Sequence, residues 1–193
     1  MIAKSKIKVL KQMRDILEEN KINYAFACPL ACYIWGVNRE VRDIYIIIEK
    51  ADLPLLIEAC RIKGIEAKLI DNINESSNME LAIVEFINQN NIESFVIITK
   101  GKIMPPDILK RAVYIEIKQA GKFCVVSPED SIILKLMNKT PPDIRDAKQI
   151  YKHLHKKLDF NYLKKICKDY NIRYEKYIPL KDDEFILENI KRN

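Results

Sequence analysis

Apolar positions at three- and four-residue spacing open the chain. Ile7, Leu10, Met13 and Leu17 share one face over 4–20, with polar residues between them, which predicts an amphipathic helix. The short apolar run 24–27 reads as a strand. Pro29 then stands in the first turn of a small helix over 29–35 that Gly36 ends. Residues 43–48, DIYIII, are β-branched and apolar on both faces, the pattern of a central strand covered on two sides. Asp52 is placed to cap a helix with Pro54 near its start, which runs to Lys63 and stops at Gly64.

Residues 65–70, 79–87 and 92–98 read as strands, the last two joined by the turn Asn88-Gln-Asn-Asn91, with 71–78 and 99–106 as loops. A second hairpin is expected from 113–118 and 123–126. Ser127-Pro-Glu-Asp130 is a helix start, with a Ser cap, Pro at the first helical position and an acidic third residue. That helix carries Ile132, Ile133, Leu136 and Met137 and breaks at Thr140-Pro-Pro142; further helices are expected over 143–155 and 159–170. The tail 180–193 is acidic in front and basic behind, the polarity that supports a last short helix, with Phe185, Ile186, Leu187 and Ile190 as an apolar face. The expected class is α+β: a mixed sheet flanked by helices in a core of 1–126, with a C-terminal helical segment, 127–193, packed on it.

Composition narrows the classes. The apolar fraction of 48% excludes intrinsic disorder, and four glycines exclude a linker or collagen-like chain. No apolar run approaches the roughly 18–20 residues of a membrane span, and MIAKSKIKVLKQM has no apolar core of a secretory signal. The expectation is a soluble, cytoplasmic protein. Its five cysteines, 28, 32, 60, 124 and 167, include no Cys-x-x-Cys pair, so reduced buried thiols are expected, with no metal site.

The net charge of +6 is confined to one segment. Lys148, Lys152, Lys156, Lys157, Lys164, Lys165, Lys168, Arg173 and Lys176 face only Asp159, Asp169 and Glu175 there, and the rest of the chain is balanced. A clustered basic face holds phosphates through counterion release without reading sequence. Tyr151, Tyr162, Tyr170, Tyr174 and Tyr177 lie among these cations, where rings serve either base stacking or helix packing.

Two stretches in order carry a family resemblance. YAFACPLACYIWGVNREVRDIYIII (24–48) resembles the opening of the nucleotidyltransferase fold, in particular the minimal nucleotidyltransferases and AbiEii-type toxins. There, a strand leads to a Gly-Gly or Gly-Ser turn, a short helix ends in an aromatic-Gly step, and an Arg precedes a strand bearing Asp-x-Asp. Trp35-Gly36, Arg39 or Arg42, and Asp43 match. SPEDSIILKL followed by PPDIRDAKQIY resembles the second signature, with Lys135, Asp143 and Asp146 in its positions. The resemblance implies a nucleotidyltransferase-like mixed sheet and, for an active member, Mg²⁺ held by carboxylates.

The chemical positions depart from that pattern. The second strand carboxylate is Tyr45, a phenol that is neutral at physiological pH. The phosphate turn is Cys28-Pro29, and proline has no N–H to offer. By register the third carboxylate falls at Ser94, with Glu93 adjacent but on the other face. Asp43 with Glu49 fails as a substitute, being about 20 Å apart along a strand; Glu85 and Glu93 could meet across the hairpin. His153 and His155, two apart, face different directions on a helix.

The expectation is therefore a non-catalytic member, a pseudoenzyme without cofactor. It would bind RNA, a ribonucleoprotein or a protein through Lys152, Lys156, Lys157, Lys164, Lys165 and Lys168, with 180–193 as a second contact for a protein partner. The alternative is a divergent, toxin-like nucleotidyltransferase acting on RNA or protein, with Asp43, Glu93 and Lys135 as catalytic residues and Mg²⁺ as its cofactor.

Overall fold

The structure, a computed structural model, describes residues 4–70, 81–88, 91–101, 104–118 and 120–178. The expected loop over 71–78 and the expected helix over 180–193 lie outside the described residues.

The first helix, α1 (Lys4–Glu19), buries Val9, Leu10, Met13, Ile16 and Leu17. Lys21 ends it in the left-handed region (φ 55°), which lets the Ile22 N–H reach back to the Leu17 carbonyl at 2.9 Å. β1 (Tyr24–Phe26), α2 (Leu30–Ile34), β2 (Ile44–Ile48), α3 (Leu53–Ile62) and β3 (Glu66–Ile70) follow. Next come the hairpin β4 (Leu81–Asn88) and β5 (Asn91–Thr99), then the hairpin β6 (Val113–Ile117) and β7 (Gly121–Val125). Three helices close the described chain: α4 (Pro128–Asn138), α5 (Pro141–Leu154) and α6 (Phe160–Asp169).

The strands form one mixed sheet in the order β3-β4-β5-β2-β1-β7-β6. β2 runs antiparallel to β1 and parallel to β5, and β1 runs parallel to β7. Alternation along β2 sorts its residues by face. Ile44, Ile46 and Ile48 join Phe26, Phe95 and Phe123 in the core beneath α1 and α3. Ile47 turns to the other face, where Ala25, Ala27, Met104, Ile108, Leu109 and Val126 form a second apolar layer. Truncating a fully buried ring such as Phe95 to Ala costs about 3–5 kcal/mol.

β7 begins at Gly121 and not at 123, and two helix starts differ in detail from expectation. The helix predicted from 143 begins at Pro141, because Thr140 Oγ1 accepts the Asp143 N–H at 3.3 Å and the two prolines occupy first-turn positions that need no donor. Asp52 makes no capping bond; it ends a 3₁₀ turn, Lys50–Asp52, that runs directly into α3. Ser127 caps α4 as expected, its Oγ accepting the Asp130 N–H at 3.1 Å.

The C-terminal helices share an apolar cluster built from Ile132, Ile133, Leu136, Ile150, Leu163, Ile166 and Cys167, which also takes in Cys32 and Val37. A polar knot ties them to one another and to the segment before β6. Asp130, wholly buried, accepts from Ser127 Oγ at 2.8 Å and from the Tyr162 hydroxyl at 2.6 Å. The Arg111 guanidinium lies 3.5 Å from the centre of the Tyr162 ring. The Tyr170 hydroxyl donates to the Met104 carbonyl, so α6 is fastened at both ends.

Candidate functional site

A cleft of about 710 Å³ opens on the face of the sheet opposite α1. Asp43, Tyr45 and Ile47 line it because they alternate with the core isoleucines of β2, and Ile98 of β5 continues the wall. Leu134 and Met137 of α4 close the apolar side. Its polar side combines Arg39, Lys135, Asn138 and Asp143, and Cys28 and Pro29 stand where β1 gives way to α2.

Four charges interlock at the polar side. Lys135 Nζ donates to Asp143 Oδ1 at 2.5 Å and lies 3.1 Å from Asp146 Oδ2, which also accepts from Arg39 Nη1 at 2.6 Å. Thr140 Oγ1 donates to the second Asp143 oxygen at 2.6 Å. Burial works against the Lys135 ammonium, but the Cys28 sulfur and the two carboxylates outweigh it and hold its pKa above the ordinary value. Burial likewise opposes the Asp143 carboxylate, yet the Lys135 and Thr140 hydrogen bonds carry its pKa below the usual range. Two cations and two anions cancel here. Asp43, exposed and without a side-chain hydrogen bond or ion pair among the described residues, carries the negative charge left over.

The site residues inferred from the sequence divide between two faces. Asp43 and Lys135 line the same cleft. Glu93 does not join them. Ile44 pairs with Phe95 in the parallel β2–β5 register, so Ser94 is the lateral neighbour of Asp43 and Glu93 points to the α1 face, where Lys6 Nζ binds it at 2.6 Å. Pairing Asp43 with Glu93 on one metal is thus excluded by strand alternation. Glu85 pairs with Ser94 and not with Glu93, so those two carboxylates also lie on opposite faces. The Lys135 ammonium is buried and engaged by Asp143 and Asp146.

The residues present do not fit Mg²⁺. On β2 and β5 the cleft is lined by one carboxylate, Asp43, and one phenol, Tyr45, where a hard divalent ion needs convergent carboxylates. Ser94 is the register neighbour of Asp43, and Glu85, one strand further, shares that face without lining the cleft. Asp143 and Asp146 are neutralised by Lys135 and Arg39.

The structure also separates Arg39 from Arg42, which the sequence left equivalent: Arg39 lines the cleft, whereas Arg42 is exposed and pairs with Glu40. His153 lays its ring against Gly36, where an added Cβ would stand 2.7 Å from His153 Cδ2. Lys152, Lys156, Lys157, Lys165 and Lys168 are exposed on α5, the turn His155–Lys157 and α6, while Lys164 is half-buried. Their neighbouring tyrosines, Tyr151, Tyr162, Tyr170, Tyr174 and Tyr177, pack against the apolar cluster of the C-terminal helices. Of stacking and helix packing, these rings serve packing.

A pair that the sequence showed only as a spacing also meets here. Cys28 and Cys32 bring their sulfurs to 3.3 Å, close enough for one thiol to hydrogen-bond the other. That contact, helped by Lys135, holds the Cys28 thiol below its ordinary pKa, and the Cys32 thiol is pushed up by the same contact and by burial.

Among the described residues no helix is long and apolar enough to cross a membrane. A family model described as a nucleotidyltransferase of unknown function (DUF6036) matches residues 42–185. No curated protein matches the sequence. Solved structures do match in fold. JHP933 from Helicobacter pylori has a TM-score of 0.55 at 15% identity, over 94% of this chain and 84% of that one. TM1012 from Thermotoga maritima gives 0.57 at 19%, over 81% and 97%. ANT(2")-Ia, solved in complex with adenylyl-2"-tobramycin, gives 0.60 at 12%, over 88% and 99%. At these identities the likeness is one of fold.

Proposed function

The chain belongs to this family of nucleotidyltransferases of unknown function, and from that premise we propose that it is a cytoplasmic member working without metal-dependent nucleotidyl transfer, as a binding module for RNA. The observation that carries the first half is the floor of the cleft. Asp43 has Tyr45 and Ser94 beside it in place of carboxylates, and Glu93 is spent on Lys6 on the opposite face. A fold does not by itself impose its usual reaction; the side chains at the site decide.

The second half is supported by the C-terminal helices. Lys152, Lys156, Lys157, Lys165 and Lys168 are exposed on consecutive elements, and none forms a salt bridge among the described residues. With the tyrosines turned inward, recognition rests on phosphate contacts and is indifferent to base identity. A protein partner engaging 180–193 remains part of the proposal as a second contact.

Binding of the full chain to a single-stranded RNA oligonucleotide, measured by fluorescence anisotropy at several salt concentrations, tests this. Reversing Lys156, Lys157, Lys164 and Lys165 to Glu abolishes association, and wild-type affinity falls steeply with salt. Binding that survives the fourfold reversal overturns the basic-face assignment. Calorimetric titration with each nucleoside triphosphate, with and without Mg²⁺, tests the cleft. Metal-dependent binding lost in Asp43→Ala would restore the transferase reading.

A further inference from the structure

We propose that Cys28 and Cys32 form a dithiol modification site on the wall of the cleft, converted to an intramolecular disulfide by low-molecular-weight organic disulfides of the glutathione class. The inference is independent of what the cleft binds. It rests on three placements. The two sulfurs are 3.3 Å apart, so a bonded S–S of ~2.05 Å requires an approach of roughly an ångström. Cys28 lines the cleft and is half-buried, so a small disulfide reaches it from solvent. Cys32 is fully buried, four residues on, and its sulfur is in contact with that of Cys28.

These placements order the steps. The Cys28 thiolate attacks one sulfur of the organic disulfide, whose S–S bond breaks, and the departing thiolate takes up a proton. Cys28 is then a mixed disulfide. The Cys32 thiol loses its proton, attacks Cys28 Sγ, and displaces the second small thiolate, which is protonated in turn. Two protein thiols are oxidised and one organic disulfide is reduced to two thiols.

Chemistry favours this pair over the other three cysteines. The Cys32 contact and the Lys135 ammonium support the thiolate form of Cys28. Cys60 and Cys124 are buried, which pushes their thiols up to about 11, and Cys167 is pushed up to about 12 by burial and the nearby Glu175 carboxylate. The product would also change the cleft. It replaces a polarised sulfur beside Lys135 with a neutral disulfide, leaving Asp143 and Asp146 as the anions that hold the ammonium.

The test uses the reduced, folded full chain incubated with oxidised glutathione, followed by intact mass and tryptic mapping. Residues 22–39 contain no internal Lys or Arg, so both cysteines fall in one peptide. The expected product is the loss of two hydrogen atoms from that peptide, restored by dithiothreitol. Cys32→Ser traps a stable glutathione adduct at Cys28, and Cys28→Ser gives neither product. Cys32→Ala, which places no hydroxyl in the buried position, traps the same adduct and guards against a folding defect. Native alkylation of Cys28 outpaces that of Cys60, Cys124 and Cys167 by about tenfold or more. Oxidation mapping to Cys60, Cys124 or Cys167, or a stable mixed disulfide in the wild type, overturns the proposal. So does a 22–39 peptide that stays reduced.

Discussion

Lys135 Nζ lies 2.5 Å from Asp143 Oδ1, joining the last turn of α4 to the first turn of α5 across the cleft wall. The lysine is buried, so the contact is part of the helix–helix junction as much as of the site. Asp146 and Arg39 extend it to the segment that precedes β2.

Removing one member of such a junction is costlier than removing the whole. Lys135→Met leaves Asp143 without an ammonium and Asp146 with Arg39 alone, and costs about 3 kcal/mol. The double variant Lys135→Met with Asp143→Asn recovers part of that loss, since no uncompensated carboxylate remains at 143. Urea unfolding of the three proteins checks the pattern. Additive losses would show that the pair does not act as a unit.

The same junction sets an acid response. Asp143 has a folded pKa below its unfolded value, so its contribution is fully present above the unfolded value and is lost as pH falls through the folded one. Asp143→Asn is therefore less stable than wild type by a constant margin from pH 7 to about pH 5. The margin begins to narrow near pH 4, where the unfolded carboxyl protonates first, and closes once pH falls through the lower folded value. A margin that narrows near pH 6, or grows as pH falls below about 4, contradicts the assignment.

Gly36 is constrained twice, by φ +96° and by the His153 ring. Gly36→Ala places a Cβ 2.7 Å from that ring and forces a non-glycine residue into the left-handed half of the map, costing about 1–3 kcal/mol. His153→Ala in the same chain relieves the contact and leaves the backbone strain, so thermal melts should show partial recovery. Full recovery would mean that the ring alone matters, and none that the backbone alone does.

Restoring carboxylates to the cleft floor should restore metal affinity. Tyr45→Asp together with Ser94→Asp places two acids beside Asp43 on one face of β2 and β5. This variant gains stability from Mg²⁺, about 1.4 kcal/mol at ten times its dissociation constant, while the wild type does not. Equal response in both proteins would dismiss Tyr45 and Ser94 as the reason for the difference.

Much of this arrangement was legible in the sequence. The period-two alternation of DIYIII already placed Asp43 and Tyr45 opposite the core isoleucines, and carried across to IESFVII it put Ser94, not Glu93, beside Asp43. The cap at Ser127 follows from local chemistry that needs no tertiary information, whereas Thr140, read as part of a break, proves to cap α5. Arg39 and Arg42 stayed equivalent because the connection before β2 has no period that assigns a face. The double engagement of Lys135 depends on how α4 crosses α5, which no short spacing reports. Cys28 and Cys32 showed their separation of four, but their contact needs the chain to turn from β1 into α2 at Pro29.

The hydroxyl that Tyr162 brings to Asp130 comes from 32 residues further along the chain. At synthesis rates of roughly 5–20 residues per second, Asp130 is made roughly two to six seconds before its phenol exists. For that interval the carboxylate has its Ser127 partner but not its Tyr162 one. The second partner of this buried carboxylate thus arrives only with α6, and a polypeptide cut short before Tyr162 would lack it.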